Sequence, residues 1–245
     1  MRLDTDDYSY SHPSYDASRD IDERRDYRRR MGYSSSYSGE LSPSAYNALI
    51  GVILLYGFGL NVILVKNCAE TFASMNPIAL IILYFVISIS GMIISKKSDN
   101  PLVSFIGYNM VVVPVGIVLS VALKGESDAL IFNALAVTTG VVALMLVAGT
   151  LFPGVFLSMG RALGMTLIIV IIVELVLMLL NITRPTFLDV IVALLFCCYI
   201  GYDWAKAQQD DKTADNAVDA CVGLYLDIIN LFLRILSLSS RSRKD

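Results

Sequence analysis

Seven apolar runs of nearly equal length govern what this chain can fold into. They lie at about 45–65, 77–95, 102–123, 130–149, 163–180, 187–207 and 220–238. A helix needs ~20 apolar residues to cross ~30 Å of hydrocarbon, and each run is close to that length. None alternates apolar and polar residues as membrane-barrel strands must, so each run is predicted to be a helix. Pro77, Pro101 and Pro185 stand at or beside the starts of runs, where a missing N–H costs nothing. Only Pro114 falls inside a run, and it predicts a kink in the third helix. Gly160 and Gly164 form a small-xxx-small pair and predict close packing where the fifth helix begins.

Composition agrees with the spans. The chain is 56% hydrophobic and only 17% charged, with a mean hydropathy of +0.64, far more apolar than a soluble domain. The charges are also segregated, since seven of the 19 basic residues and nine of the 22 acidic ones precede Pro43. The net charge of −3 averages two different materials and gives no reason to expect nucleic acid. The expected fold class is therefore an all-α membrane protein of seven transmembrane helices. Residues 1–43 would form a polar tail, 44–239 the membrane domain and 240–245 a short basic tail.

The N-terminal tail carries a mixed-charge run at 19–30 and has no apolar period. Such a segment buries too little apolar surface to offset its ordering entropy, which predicts disorder. It lacks an apolar stretch followed by a small-residue cleavage site, so it does not read as a signal peptide. Two roles stay open: a solvated tether that fixes topology, or a docking tail for acidic lipid or for a membrane protease that grips unfolded ends.

Lysine and arginine counts orient the helices. With the N-terminus cytoplasmic, the inner side receives seven tail arginines, then Lys96, Lys97, Arg161, Lys206 and Lys212. The outer loops receive Lys66, Lys124 and Arg184. Arg241, Arg243 and Lys244 break the pattern if all seven helices cross. Either the last helix crosses and tolerates the mismatch, or it is re-entrant; seven crossings are favoured.

Acids at bilayer depth cost roughly 2.5–3.5 kcal/mol each on insertion scales, so they face a partner or a water-filled path. Asp203 and Asp227 lie in the last two runs, joined by a short polar turn, and can face each other across a helical hairpin. Two carboxylates that meet compete for one charge and can share a proton near neutral pH. Losing that proton, or replacing it with a divalent cation, would reorganise the contact. Hard oxygen ligands suit calcium, and two carboxylates alone make a weak, transient site of the kind conduction requires.

Gly223, Asp227, Asn230 and Arg234 share one narrow face of the last helix, a polar stripe that should point into the bundle. It either lines a path or makes structural contacts from Asp227 to Asn230 or Arg234. Asp189, on roughly the face of Asp203, marks the outer end of the same path or is solvated near a helix end. Glu174 is deeper and belongs to the path or serves as a structural hydrogen-bonding residue. Trp204 is expected at headgroup level, just beyond Asp203.

Enzyme signatures are sparse, and no catalytic residue or cofactor is assigned. The single histidine, His12, lies in the tail, which removes histidine-based acid–base chemistry and histidine metal sites. Cys68, Cys197, Cys198 and Cys221 show no CxxC spacing. No phosphate-cradling loop or nucleophile elbow is present. Two facing aspartates formally suit intramembrane proteolysis, but Gly223-Leu224-Tyr225-Leu226-Asp227 lacks the Gly-Leu-Gly-Asp-type sequence of those proteases.

The run Gly223-Leu224-Tyr225-Leu226-Asp227-Ile228-Ile229-Asn230-Leu231-Phe232-Leu233-Arg234-Ile235-Leu236 closely resembles the last helix of the Bax inhibitor-1 family. Tyr202-Asp203, followed by a polar turn, resembles that family's sixth helix. The earlier helices match mainly in hydropathy, and the tail before Pro43 lies outside the resemblance. It implies six helices around a central seventh, and a pH-sensitive calcium leak gated by an aspartate pair, here Asp203 and Asp227. Some members hold the closed state with an acid and an arginine in the second helix, and the run at 77–95 contains neither. Bacterial members are linked to regulation of a membrane-bound AAA protease, eukaryotic ones to suppression of cell death. A bacterial inner-membrane protein is the expectation.

Overall fold

The structure, a computed structural model, describes residues 40–242 apart from Ala73. The expectations for the tail up to Gly39, and for Arg243 and Lys244, lie outside the described residues. Among the described residues eight helices follow one another: α1 Pro43–Phe72, α2 Pro77–Lys97, α3 Pro101–Ala122, α4 Asp128–Leu151, α5 Pro153–Ser158, α6 Gly160–Leu179, α7 Thr186–Ala207 and α8 Ala214–Ser242. All but α5 are long and apolar enough to cross a membrane. The architecture is all-α, as the spacing of the apolar runs predicts.

Local chemistry sets the helix starts. Asn76 and Asn100 turn their side chains onto backbone N–H groups of the first turn, at 2.9 Å to Ile78 and 3.0 Å to Leu102. A proline follows directly inside each helix, Pro77 in α2 and Pro101 in α3, as the sequence suggests. Ser127 caps α4 in the same way. The helix α3 continues through Pro114, which is buried.

Several boundaries differ from expectation. The helix α1 runs on to Phe72, and α8 begins six residues before Ala220, at Ala214. Asp215, Asn216 and Asp219 dilute the apolar signal there without preventing a helix. Between α4 and α6 the chain forms the short α5, because Pro153 ends one helix and starts another. Gly160 packs against the Tyr202 ring, but Gly164 faces open space, so close approach holds at one of the two glycines only. The tight glycine crossing is elsewhere: a Cβ on Gly91 of α2 would stand 2.5 Å from the Gly107 carbonyl of α3.

The centre is α8. In its most apolar window 61% of residues are buried, against 11% in α6 and 22% in α1 and α2. It packs on α1, α2, α3, α4 and α7, and it reaches α6 through an ion pair from Arg234 to Glu174. Six long helices thus surround a seventh, as the family resemblance implies. The central α8 is one unbroken helix of 29 residues, about 43 Å long, which is enough to cross a membrane.

The outer helices show the inverse of a soluble fold. Val52, Leu55, Ile63, Ile82, Val86, Leu144 and Ile168 are exposed, a surface suited to acyl chains. Apolar helices gain little by leaving lipid for each other, so shape and polar contacts fix the packing. At the core, Tyr225 of α8 stacks near Phe58 at 5.5 Å and meets Tyr108 edge-on at 5.7 Å. Asn61 donates to the Tyr225 hydroxyl at 2.5 Å, tying α1 to the central helix.

The turn between α7 and α8 is fastened to the start of α1. The Leu41 amide donates to the Lys212 carbonyl at 2.7 Å, and Glu40 and Thr213 form an isolated antiparallel bridge. Lys212 Nζ caps the end of α7 by donating to the Ala207 and Gln208 carbonyls, and sits 4.7 Å from the centre of the Tyr46 ring. Gln208 donates to Asn47 at 2.9 Å. This turn joins the two helices that carry Asp203 and Asp227.

Candidate functional site

Asp203 lies one turn before the end of α7, and Asp227 near the middle of α8. Their carboxyl groups lie close enough to act on each other directly. Asp203 is half-buried, whereas Asp227 is only 7% exposed. Among the described residues no donor reaches Asp227 Oδ2. The approach depends on Gly223, one turn before Asp227: a Cβ there would overlap the Asp203 carboxylate. Tyr199, one turn before Asp203, is close enough for both carboxylates to act on it. Lys96 of α2 and Lys206 are the cations nearest in effect to Asp203.

Gly223→Ala therefore has a specific expected outcome. The new methyl displaces the Asp203 carboxylate from Asp227, at an overpacking cost of about 1–3 kcal/mol. Thermal unfolding in detergent should show a modest loss, with the contact between the two acids broken.

The polar stripe divides in two. Asp227 contacts neither Arg234 nor Asn230, and Asn230 folds back to donate to the Leu226 carbonyl of its own helix at 2.8 Å. Arg234, ~10 Å further along α8, joins a second group of charges. It pairs with Glu174 of α6 at 2.7 Å and with Asp189 of α7 at 3.2 Å. Arg184 lies 3.3 Å from Asp189 and 3.7 Å from Glu174. Arg241 also pairs with Asp189 at 3.3 Å, and Ser237 donates to it at 3.1 Å.

Asp189 is thus fully buried and ion-paired, not solvated. Its position near a helix end suggests water only while the last helix is taken to stop at 238; α8 runs past it to Ser242. Beside this network lies a polar cavity of about 450 Å³, lined by Asn230, Arg234, Ser237, Arg241, Arg184 and Glu126 among others. The two groups sit at opposite ends of α7, Asp189 in its first turn and Asp203 near its last.

A third set of polar contacts escapes sequence reasoning. Ser95 at the end of α2 donates to Asp219 of α8, and Ser104 in α3 donates to Asp215 at 2.6 Å. The second helix therefore reaches the central helix through a serine hydroxyl. The available signal was the four-residue spacing of Asp215, Asp219, Gly223 and Asp227. Trp204 donates to Thr150 of α4 at 2.8 Å, steadying the end of α7 beside Asp203. Among the described residues no three or more His, Cys, Asp or Glu side chains group closely enough to hold a metal ion.

Comparison with known proteins gives two findings. Two uncharacterised proteins of Helicobacter pylori, from strains 26695 and J99, are 36% and 35% identical over 111 residues. That stretch is 44% of this chain and 46% of each relative, so the alignment spans about half the length of these relatives. The family described as inhibitor of apoptosis-promoting Bax1 matches residues 41–244, from the bridge before α1 to the end of α8. With all seven long helices inside that match, the chain belongs to the Bax inhibitor-1 family.

Proposed function

We propose that this multi-pass membrane protein is a pH-sensitive calcium leak channel, gated by the contact between Asp203 and Asp227. The observation that carries the reading is a buried carboxylate, Asp227, that has a second acid beside it and an oxygen, Oδ2, that no donor among the described residues reaches. Two carboxylates ~4 Å apart repel by about 4 kcal/mol at an effective dielectric of 20. One shared proton relieves that repulsion and closes the hairpin. A divalent cation relieves it too, but with a different geometry. The pair is thus a place where proton and calcium compete, and Asn230 and Arg234 continue the polar face towards the far cavity.

The sign of the pH response follows. The closed contact contains a bound proton, so raising pH strips it and opens the hairpin, while lowering pH closes it. The test is calcium entry into dye-loaded proteoliposomes across a pH series, with wild type beside Asp203→Asn and Asp227→Asn. Flux at every pH equal to that of empty liposomes sinks the channel reading.

A second reading is a non-enzymatic regulator of a membrane complex, such as a membrane-bound AAA protease acting on the N-terminal tail. It is favoured by the fastening of Glu40 and Leu41 to the α7–α8 turn, which couples the tail's exit to the aspartate hairpin. Removing the residues before Glu40 is then expected to abolish function in cells while Asp227→Asn does little; the opposite pattern supports the leak. Both readings put the protein in a bacterial inner membrane with a cytoplasmic N-terminus, supported by the lysine and arginine bias of the loops.

A further inference from the structure

The polar cavity beside the C-terminal half of α8 has two walls of opposite sign. On one, Arg184, Arg234 and Arg241 gather round Asp189 and Glu174, three guanidiniums to two carboxylates. The acids do not use every donor. Arg234 is nine-tenths buried, and its Nε has no partner among the described residues. Arg241 Nη1 donates to the Arg184 carbonyl at 2.6 Å, which fixes these two arginines to each other.

On the other wall stands Glu126, from the turn between α3 and α4. It is half-buried, and Ser240 of α8 donates to it over a long 3.4 Å. Among the described residues no lysine or arginine pairs with it. Ser240 precedes Arg241 directly, so Glu126 approaches α8 within one helical turn, ~5 Å of rise, of the arginine wall. Surplus N–H donors and an unpaired carboxylate therefore line one cavity of about 450 Å³, the volume of a small-molecule site.

We propose that this cavity binds a phosphoethanolamine-type zwitterion, with its phosphate oxygens on the arginines and its ammonium on Glu126. A guanidinium meets a phosphate through two parallel N–H···O bonds, a geometry a lysine cannot offer. A simple anion would leave Glu126 unpaired and repelling it, and a simple cation would meet three arginines. A ligand carrying both charges satisfies both walls and adds no net charge to the site. Such a group has two sources, free phosphoethanolamine and the headgroup of a membrane phospholipid. The site stands at the opposite end of α7 from Asp203, so it holds whichever function the aspartate pair serves.

The test is calorimetric titration of the full chain, stripped of lipid in detergent, with O-phosphoethanolamine and with inorganic phosphate. Wild type is expected to bind phosphoethanolamine about tenfold more tightly, since one charge-assisted hydrogen bond is worth at least that factor. Glu126→Gln, at a half-buried turn position, should abolish that preference and leave phosphate binding in place. Arg241→Gln should weaken both ligands. A wild type that binds neither overturns the site. A preference that survives Glu126→Gln overturns it too, as does unchanged binding in Arg241→Gln. If Arg241→Gln does not fold, Arg241→Lys removes the planar fork, keeps the charge and is read in the same way. Mixed micelles then separate the sources. Competition by phosphatidylethanolamine and not by phosphatidylcholine, whose methylated ammonium has no N–H for Glu126, identifies a lipid headgroup. No competition by either lipid identifies the free zwitterion, and equal competition by both overturns the pairing with Glu126.

Discussion

Replacing Arg234 with alanine is expected to lower stability more than any other single change outside the tightly packed aromatic core. Arg234 bridges Glu174 and Asp189, and Asp189 has no solvent exposure at all. The arginines that remain, Arg184 and Arg241, are themselves partly exposed and hold Asp189 at 3.3 Å. Removing Arg234 takes the most buried cation from both acids and leaves them only the partly exposed arginines, at about 3 kcal/mol, the low end for breaking a buried pair. For a domain of this size that is a fall of roughly 10 °C in unfolding temperature, read in detergent by intrinsic fluorescence. Neutralising both sides separates the charge effect from simple loss of packing. Arg234→Met with Asp189→Asn should recover most of the loss, because desolvated ion pairs are often replaceable by neutral groups. If the double variant is as unstable as Arg234→Ala, the network acts through shape and not through charge.

Asp227→Asn is expected to change function and spare the fold. The amide is close in size to a protonated carboxyl and offers Asp203 a permanent donor, so the contact persists with nothing left to strip at high pH. Calcium entry at alkaline pH should fall to the level wild type shows at acidic pH, and the pH profile should flatten. The unfolding temperature should not drop, since a buried carboxylate has been exchanged for a neutral group. A variant whose flux still climbs with pH like wild type would show that the pair is not the titrating element. Asp203→Asn should flatten the profile less completely, because Asp203 is half-buried and Lys96 and Lys206 act on it.

The spans and the pair were legible because each depends on local facts. An apolar run of membrane length reads as a helix with no knowledge of its neighbours. A hairpin with an acid on each arm brings those acids together through one short turn. The charge network was not legible, because Glu174, Arg184, Asp189 and Arg234 meet only when three helices are placed. The stripe from Gly223 to Arg234 was correct as a face, but one face touched two different neighbours along its length. Asp227 met α7 near its end, and Arg234 met α6 and the start of α7. The early start of α8 was hidden for a related reason. Asp215 and Asp219 look like loop residues by hydropathy, yet Ser104 and Ser95 satisfy them in place.

The most polar of the seven long helices is also the one made after the other six. On insertion scales Asp and Arg each cost about 2.5–3.5 kcal/mol at a helix centre, and α8 carries Asp219, Asp227 and Arg234. Presented to lipid alone it is a poor candidate for insertion, while the strongly apolar α2, α4 and α6 insert readily. The partners of its polar groups, Ser95, Glu174, Asp189 and Asp203, all precede it in the chain. They are in the membrane before α8 leaves the ribosome. A charged helix therefore enters a cleft already lined to receive it, so a lesion in that lining acts first on whether α8 integrates and only then on what the finished bundle does.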